Sequence, residues 1–227
     1  MTERGAARLS VAVVIAAWAF LVVRQILRDP AVLPTPEAIV IGACLRAAIT
    51  LVLVWALLRA GGESLRSLGF DPGSPVPFAL RTLGLAVALF LVTNVVVNGV
   101  LTKLVGRSGA PPVAELFHDP RSAPLWIVSA VVGGGFSEEL GRAFVLTRFE
   151  KAFGRAGLVV ALVVDTAVFG LGHLYQGTAS AISAGLTGVI LAFIFLWRRR
   201  VVDAMTVHAL FDLMGIAVAF ALYGRTP

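Results

Sequence analysis

Eight ionisable side chains fall inside stretches apolar enough to cross a membrane: Arg46, Glu138, Glu139, Arg142, Asp165, His173, His208 and Asp212. Charges in such stretches are costly and face a protein interior or a wet cavity, so each calls for a reason. Glu138 and Arg142 are four residues apart, as are Phe169 and His173, and His208 and Asp212, so each pair shares a helix face. A carboxylate beside an imidazole can act as a general base on water. A second imidazole, held by an acid, can stabilise a developing oxyanion. Glu138, His173 and His208 could instead hold a zinc ion with an open position for water. Both arrangements lead to hydrolysis of an amide by water. Ser137 adjoins Glu138, but helix neighbours point in different directions, which argues against a serine nucleophile.

Each group also has a purely structural reading. Glu138 with Arg142 is a buried ion pair, His173 a hydrogen-bonded core histidine, and His208 with Asp212 a helix pin. Asp165 reads as a structural partner of Arg46, about 12 Å along its helix from His173. Asn94 and Asn98 read as interhelical hydrogen-bonding groups. His118 reads as a solvated loop residue, and lone Cys44 as a buried small hydrophobe.

The elements that must position these groups are membrane helices. Of the 227 residues, 58% are hydrophobic and 14% charged, with a mean hydropathy of +0.91. That excludes disorder, a disulfide scaffold and an ordinary water-soluble globule. The expected fold is all-α, a polytopic membrane helical bundle of about seven transmembrane helices, at 9–27, 38–58, 76–101, 123–146, 157–174, 178–197 and 201–223. The chain reads as a single membrane domain, with 123–223 carrying the chemistry and 1–102 supplying accessory helices. The first span follows Arg4 and Arg8 as a signal peptide would, but no small-residue cleavage site follows it, so it reads as a retained helix. Net charge is +6; the basic residues sit between apolar runs, which indicates topology rather than nucleic-acid binding. Ten basic residues on one set of loops against five on the other predict a multi-pass cell-membrane protein with a cytoplasmic N-terminus and an external C-terminus. Small residues at Ala181, Ala184, Gly185, Gly188 and Gly133–Gly135 predict close helix packing.

Depth links the groups. The turn between the fourth and fifth spans falls near 154–157. Glu138 and His173 each lie about 17 residues from it, roughly 26 Å, and so reach one level in an antiparallel hairpin. His208 lies only about eight residues from the turn at Arg200. For all three to meet, the hairpin must project further than its neighbours, placing the site in the cytoplasmic half of the membrane.

These residues resemble the CPBP intramembrane proteases, which include CAAX prenyl endopeptidases and bacteriocin-processing or self-immunity (Abi) proteins. The motifs are Glu138-Glu139-Leu140-Gly141-Arg142, Phe169-Gly170-Leu171-Gly172-His173 and His208-Ala209-Leu210-Phe211-Asp212, within about 125–220. The resemblance implies that Glu138 and His173 activate water, that His208 and Asp212 support the oxyanion or position substrate, and that Glu139 and Arg142 complete or brace the site. Two features depart from the family pattern. Only Leu140 and Gly141 separate the acidic pair from Arg142, where three residues are usual; anchoring on Arg142 aligns Ser137 and Glu138 with the pair, whereas anchoring on the pair aligns Glu138 and Glu139. Asp212 stands where Asn is common, and an ionised Asp cannot donate to an oxyanion.

The expected function is an integral membrane endopeptidase acting on peptide or protein substrates with an apolar or lipidated segment that enter from membrane lipid. The expectation is no nucleic-acid partner, and no firm cofactor beyond the zinc alternative. Two other readings compete: a non-catalytic membrane immunity or scaffold protein, and a proton-linked transporter, against which there are no paired halves or inverted repeats.

Overall fold

The computed structural model describes residues 2–28, 33–105 and 112–224; Arg107 and Arg225, two of the five basic residues assigned to the external loops, lie outside them. The described residues form helices and turns, with no strand among them. The order is α1 (Glu3–Ile26), α2 (Pro36–Ala60), α3 (Pro75–Leu91), α4 (Asn98–Val105), α5 (Ala123–Val128), α6 (Glu139–Gly172), α7 (Thr178–Arg198) and α8 (Val201–Tyr223). π-helical turns join α3 to α4 across Val92–Val97 and α5 to α6 across Ser129–Glu138. Thr2 and Thr35 cap the first two helices through their hydroxyls.

Six helical rods are long and apolar enough to cross a membrane, one of them running through Pro120–Gly172. That last rod is not straight. Gly154 has φ 66°, ψ −152°, a conformation open to glycine and strained for other residues. Arg142 Nε then lies 3.5 Å from Asp165 Oδ2, although 23 residues of straight helix would hold them roughly 34 Å apart. The rod is therefore an antiparallel hairpin with its tip at Gly154, and it supplies the fourth and fifth expected spans, making seven in all.

The hairpin is the centre of the bundle. Its arms pack against α1 and α7, while α2 and α8 clasp the π-helical turns that lead into it. Ala7, Val11, Val14, Leu58, Leu140, Leu146, Phe149, Phe195 and Ala204 form one buried core, with Trp18 tilted onto Phe149 at 5.3 Å. Large apolar side chains such as Ile41, Leu45, Ile49 and Val52 on α2 face outward, as a lipid-covered surface requires. Small residues do set a close helix crossing: a Cβ on Gly170 would come 2.9 Å from the Ala181 carbonyl oxygen and 3.6 Å from Gly185 Cα.

Several expectations need correction. Cys44 is exposed on the outer face of α2, not buried; it lies one residue after buried Ala43, off the helix stripe that packs inward. Asn94 donates to Phe90 O and Asn98 to Asn94 Oδ1, both along their own helix. The interhelical bond in that region is Thr93 to Thr187, 3.2 Å. His118 is exposed, as expected.

Salt bridges fasten one end of the bundle. Arg148, 2% exposed, forms a bidentate pair with Glu63 from the α2–α3 loop. Lys151 joins Glu63 to Glu3, each at 2.8 Å, and Arg199 from the α7–α8 turn grips Glu150. Because Glu150 lies level with that turn, the hairpin tip at Gly154 extends past it by about 6 Å, in the direction that the spacing of His208 requires. The Arg148 guanidinium, helped by Lys151, holds the Glu63 carboxyl well below the usual range, at about 2. A carboxyl whose folded pKa is depressed stabilises the fold above its unfolded value, near 4.3, and loses that contribution as pH falls towards the folded value. The stability gap between wild type and Glu63→Gln in detergent should therefore be full at neutral pH and close between about pH 4.3 and 2. Thermal melts across that range check this; a gap independent of pH would refute it.

Candidate active site

The π-helical turns end at Glu138, and regular helix resumes at Glu139. This change of winding decides how the two acids face. Glu139 is turned inward and 1% exposed; its Oε1 accepts from His208 Nδ1 at 2.8 Å and lies 3.3 Å from Arg142 Nη1. Glu138 stays at the rim, with its side chain 17% exposed. Its Oε1 faces Arg46 Nη2 at 3.6 Å and its Oε2 faces His208 Nε2 at 3.9 Å. Two expected pairings are thereby corrected. Arg142 pairs with Glu139 and Asp165, not with Glu138, and Arg46 pairs with Glu138, not with Asp165.

Arg142 is a buried hub. It donates to the Gly188 carbonyl at 3.0 Å and stacks its guanidinium over the Phe169 ring at 4.6 Å. A buried arginine facing two acids, a carbonyl and an aromatic ring fixes the hairpin arms against α7. The Phe169 ring lies 4.6 Å from the His173 ring and 6.2 Å from the His208 ring. By sequence it is only the residue one turn before His173. It is the wall that both imidazoles share.

His173 closes α6, where its Nδ1 donates to Phe169 O at 2.8 Å. A carbonyl only accepts, so Nδ1 carries the proton and the neutral ring presents Nε2 as an acceptor. Among the described residues His173 makes no hydrogen bond or ion pair with Glu138. Tyr175 lies parallel to it at 6.4 Å, beneath the guanidinium of Arg28.

Asp212, one turn beyond His208, places Oδ2 3.7 Å from His208 Nε2. That spacing is an ion pair, too long for a hydrogen bond. Both groups back onto Gly134: a Cβ there would overlap Asp212 Oδ2 and stand 3.3 Å from His208 Nε2. The glycine run marks the site as well as the packing. Gly134→Ala should push His208 and Asp212 off position, since even a 1 Å displacement costs on the order of 100-fold in rate. Cleavage assays beside a thermal melt check this; an alanine variant with wild-type kcat would refute it.

A zinc ion at Glu138, His173 and His208 would need three ligand atoms around one point at about 2 Å. Among the described residues no three His, Cys, Asp or Glu side chains group closely enough to hold a metal. His208 Nδ1 is committed to Glu139, and His173 stands across the Phe169 ring. This arrangement of side chains does not form such a ligand set.

The geometry thus unites Glu138, Glu139, Arg142, His208 and Asp212 and sets His173 one ring away. Residues 120–214 match a family model, type II CAAX prenyl endopeptidase Rce1-like. This segment is similar to the CPBP/CAAX proteases. The matched stretch holds all three motifs, while α1 to α4 precede it. No curated protein and no solved structure matches the chain significantly. The family and the apolar helices together indicate a multi-pass membrane protein and, in general terms, a CAAX-type membrane endopeptidase.

Proposed function

We propose that this CPBP-like protein hydrolyses peptide bonds of membrane-associated or lipidated substrates with a water activated by Glu138 and His173. The observation that carries the reading is the convergence of an acid pair from the hairpin with an imidazole from α8, at a rim open enough for water. Glu138 takes the proton of the attacking water and passes it to the leaving amine, while the free Nε2 of His173 accepts a hydrogen bond from that water and orients it. Buried Glu139 accepts from Nδ1 of His208 and so aims its ring; Nε2, when protonated, donates to the oxyanion. Asp212 faces that same nitrogen and orients it. Arg142 braces Glu139. A groove between the π-helical turns and α8, lined by Val131, Gly135, Phe136, Ala209 and Leu210, opens beside the site and is almost wholly apolar. It suits an apolar segment entering from lipid.

In the proposed topology the N-terminus is cytoplasmic and the site lies towards the cytoplasmic side. Cysteine labelling of position 151 from outside the cell would reverse it. The test of activity compares the termini of membrane proteins in cells carrying wild type or Glu138→Ala. Cleavage products present only with wild type are expected; identical termini in both would end the protease reading. A non-catalytic immunity or scaffold role has one observation in its favour: each acid of the cluster has a basic partner within 4 Å, as a purely structural network would. Under that reading the substitution spares the phenotype.

A further inference from the structure

Arg46 lies on α2, outside the segment that matches the family. It is the eleventh of 25 residues in that helix, so the helix ends are roughly 15 Å and 21 Å away. An arginine within such a span is costly to keep and calls for a partner anion. The anion in reach is Glu138, whose Oε1 stands 3.6 Å from Nη2. The guanidinium lies along Gly133, where a Cβ would sit 3.4 Å from Nη2. Its side chain is 49% exposed, and among the described residues it makes no hydrogen bond.

The two acids are thus served differently. Glu139 is clamped by Arg142 and His208 inside the hairpin. Glu138 has no such clamp on its own element, and its nearest basic group comes from α2. We propose that Arg46 is a positioning residue: its ion pair with Oε1 holds the Glu138 carboxylate so that Oε2 faces His208 and the attacking water. This inference rests on the proposed hydrolysis. Arginine is suited to the task because it stays protonated and cannot take the proton that Glu138 handles. The charge stays in place while the acid cycles.

The test uses the full-length protein in liposomes with a quenched fluorescent peptide carrying an apolar anchor. Arg46→Gln should lower kcat about 10- to 100-fold, the scale of a misplaced catalytic group, with KM within about twofold and the thermal midpoint unchanged. Arg46→Lys should recover part of the rate. Arg46→Ala should be revived by millimolar guanidinium, which the half-exposed position admits. A structural role would produce no such rescue. An unchanged kcat, a rise in KM alone, or a loss that guanidinium cannot relieve would each overturn the inference while leaving the protease reading standing. A wild-type protein that cleaves nothing would remove both. If the Arg46 variants fail to fold, the geometry is tested by Ala43→Cys with Gly133→Cys in a Cys44→Ser background. The Ala43 Cβ and a Cβ on Gly133 would be 3.2 Å apart, close to disulfide spacing. Ready oxidation supports the α2 contact that presents Arg46 to Glu138; failure to oxidise refutes it.

Discussion

Glu138→Gln should leave a folded, membrane-inserted protein that has lost peptide-bond cleavage. The amide matches the carboxylate in shape, so its place between Arg46 and His208 is kept. It can neither accept a proton from water nor hold an ionic contact with Arg46. General-base assistance contributes about 10²- to 10⁴-fold, and losses in that range or beyond are expected in kcat. The neighbouring acid provides the contrast. Glu139 is buried against Arg142 and His208, so Glu139→Gln should also weaken the fold, through an arginine left short of its counter-charge. Parallel melts and single-turnover assays separate the two. A Glu138→Gln enzyme within threefold of wild type would sink the assignment of the base.

Arg142→Ala should give the largest loss of stability of any single change in the cluster. The residue is 3% exposed and faces Glu139, Asp165, the Gly188 carbonyl and the Phe169 ring. Its removal leaves two acids without their buried cation. Breaking one side of a buried pair costs about 3–5 kcal/mol, and the emptied volume beside Phe169 adds to this. Activity should fall too, because Phe169 walls both imidazoles. Arg142→Lys should recover little, as one ammonium cannot reach acids on both hairpin arms and a carbonyl on α7. Unfolding in detergent, followed by tryptophan fluorescence, measures the effect. A loss under about 1 kcal/mol would show that the network contributes little.

Much of this arrangement was legible from residue types and intervals. Apolar run lengths located the spans, and equal distances of Glu138 and His173 from the glycine-bearing turn foretold the hairpin. The pairing of charges was not legible. Glu138 and Glu139 both have helical spacing to Arg142, and only the winding at 129–138 turns Glu139 inward; π-helical turns leave no clear mark in a run of small residues. Arg46 had two acids to choose between, and its choice depends on how α2 is rotated against the π-helical turns. A helix that is apolar on every side, as α2 nearly is, carries little pattern to fix that rotation. The same uniformity misplaced Cys44. Asn94 and Asn98 turned to their own helix because a carbonyl or amide one turn away is always within reach.

The order in which the site's parts leave the ribosome follows from the hairpin. Glu138, Glu139, Arg142, Phe169 and His173 all belong to one continuous stretch that doubles back at Gly154. His208 and Asp212 belong to α8, which follows the hairpin and α7 in the chain. A growing chain can close the hairpin, with its arginine hub, before α8 is made, yet it then lacks the imidazole that Glu139 is built to hold. The candidate site is therefore completed only once α8 is made, and a product truncated ahead of residue 201 carries the hairpin's acids without His208 and Asp212.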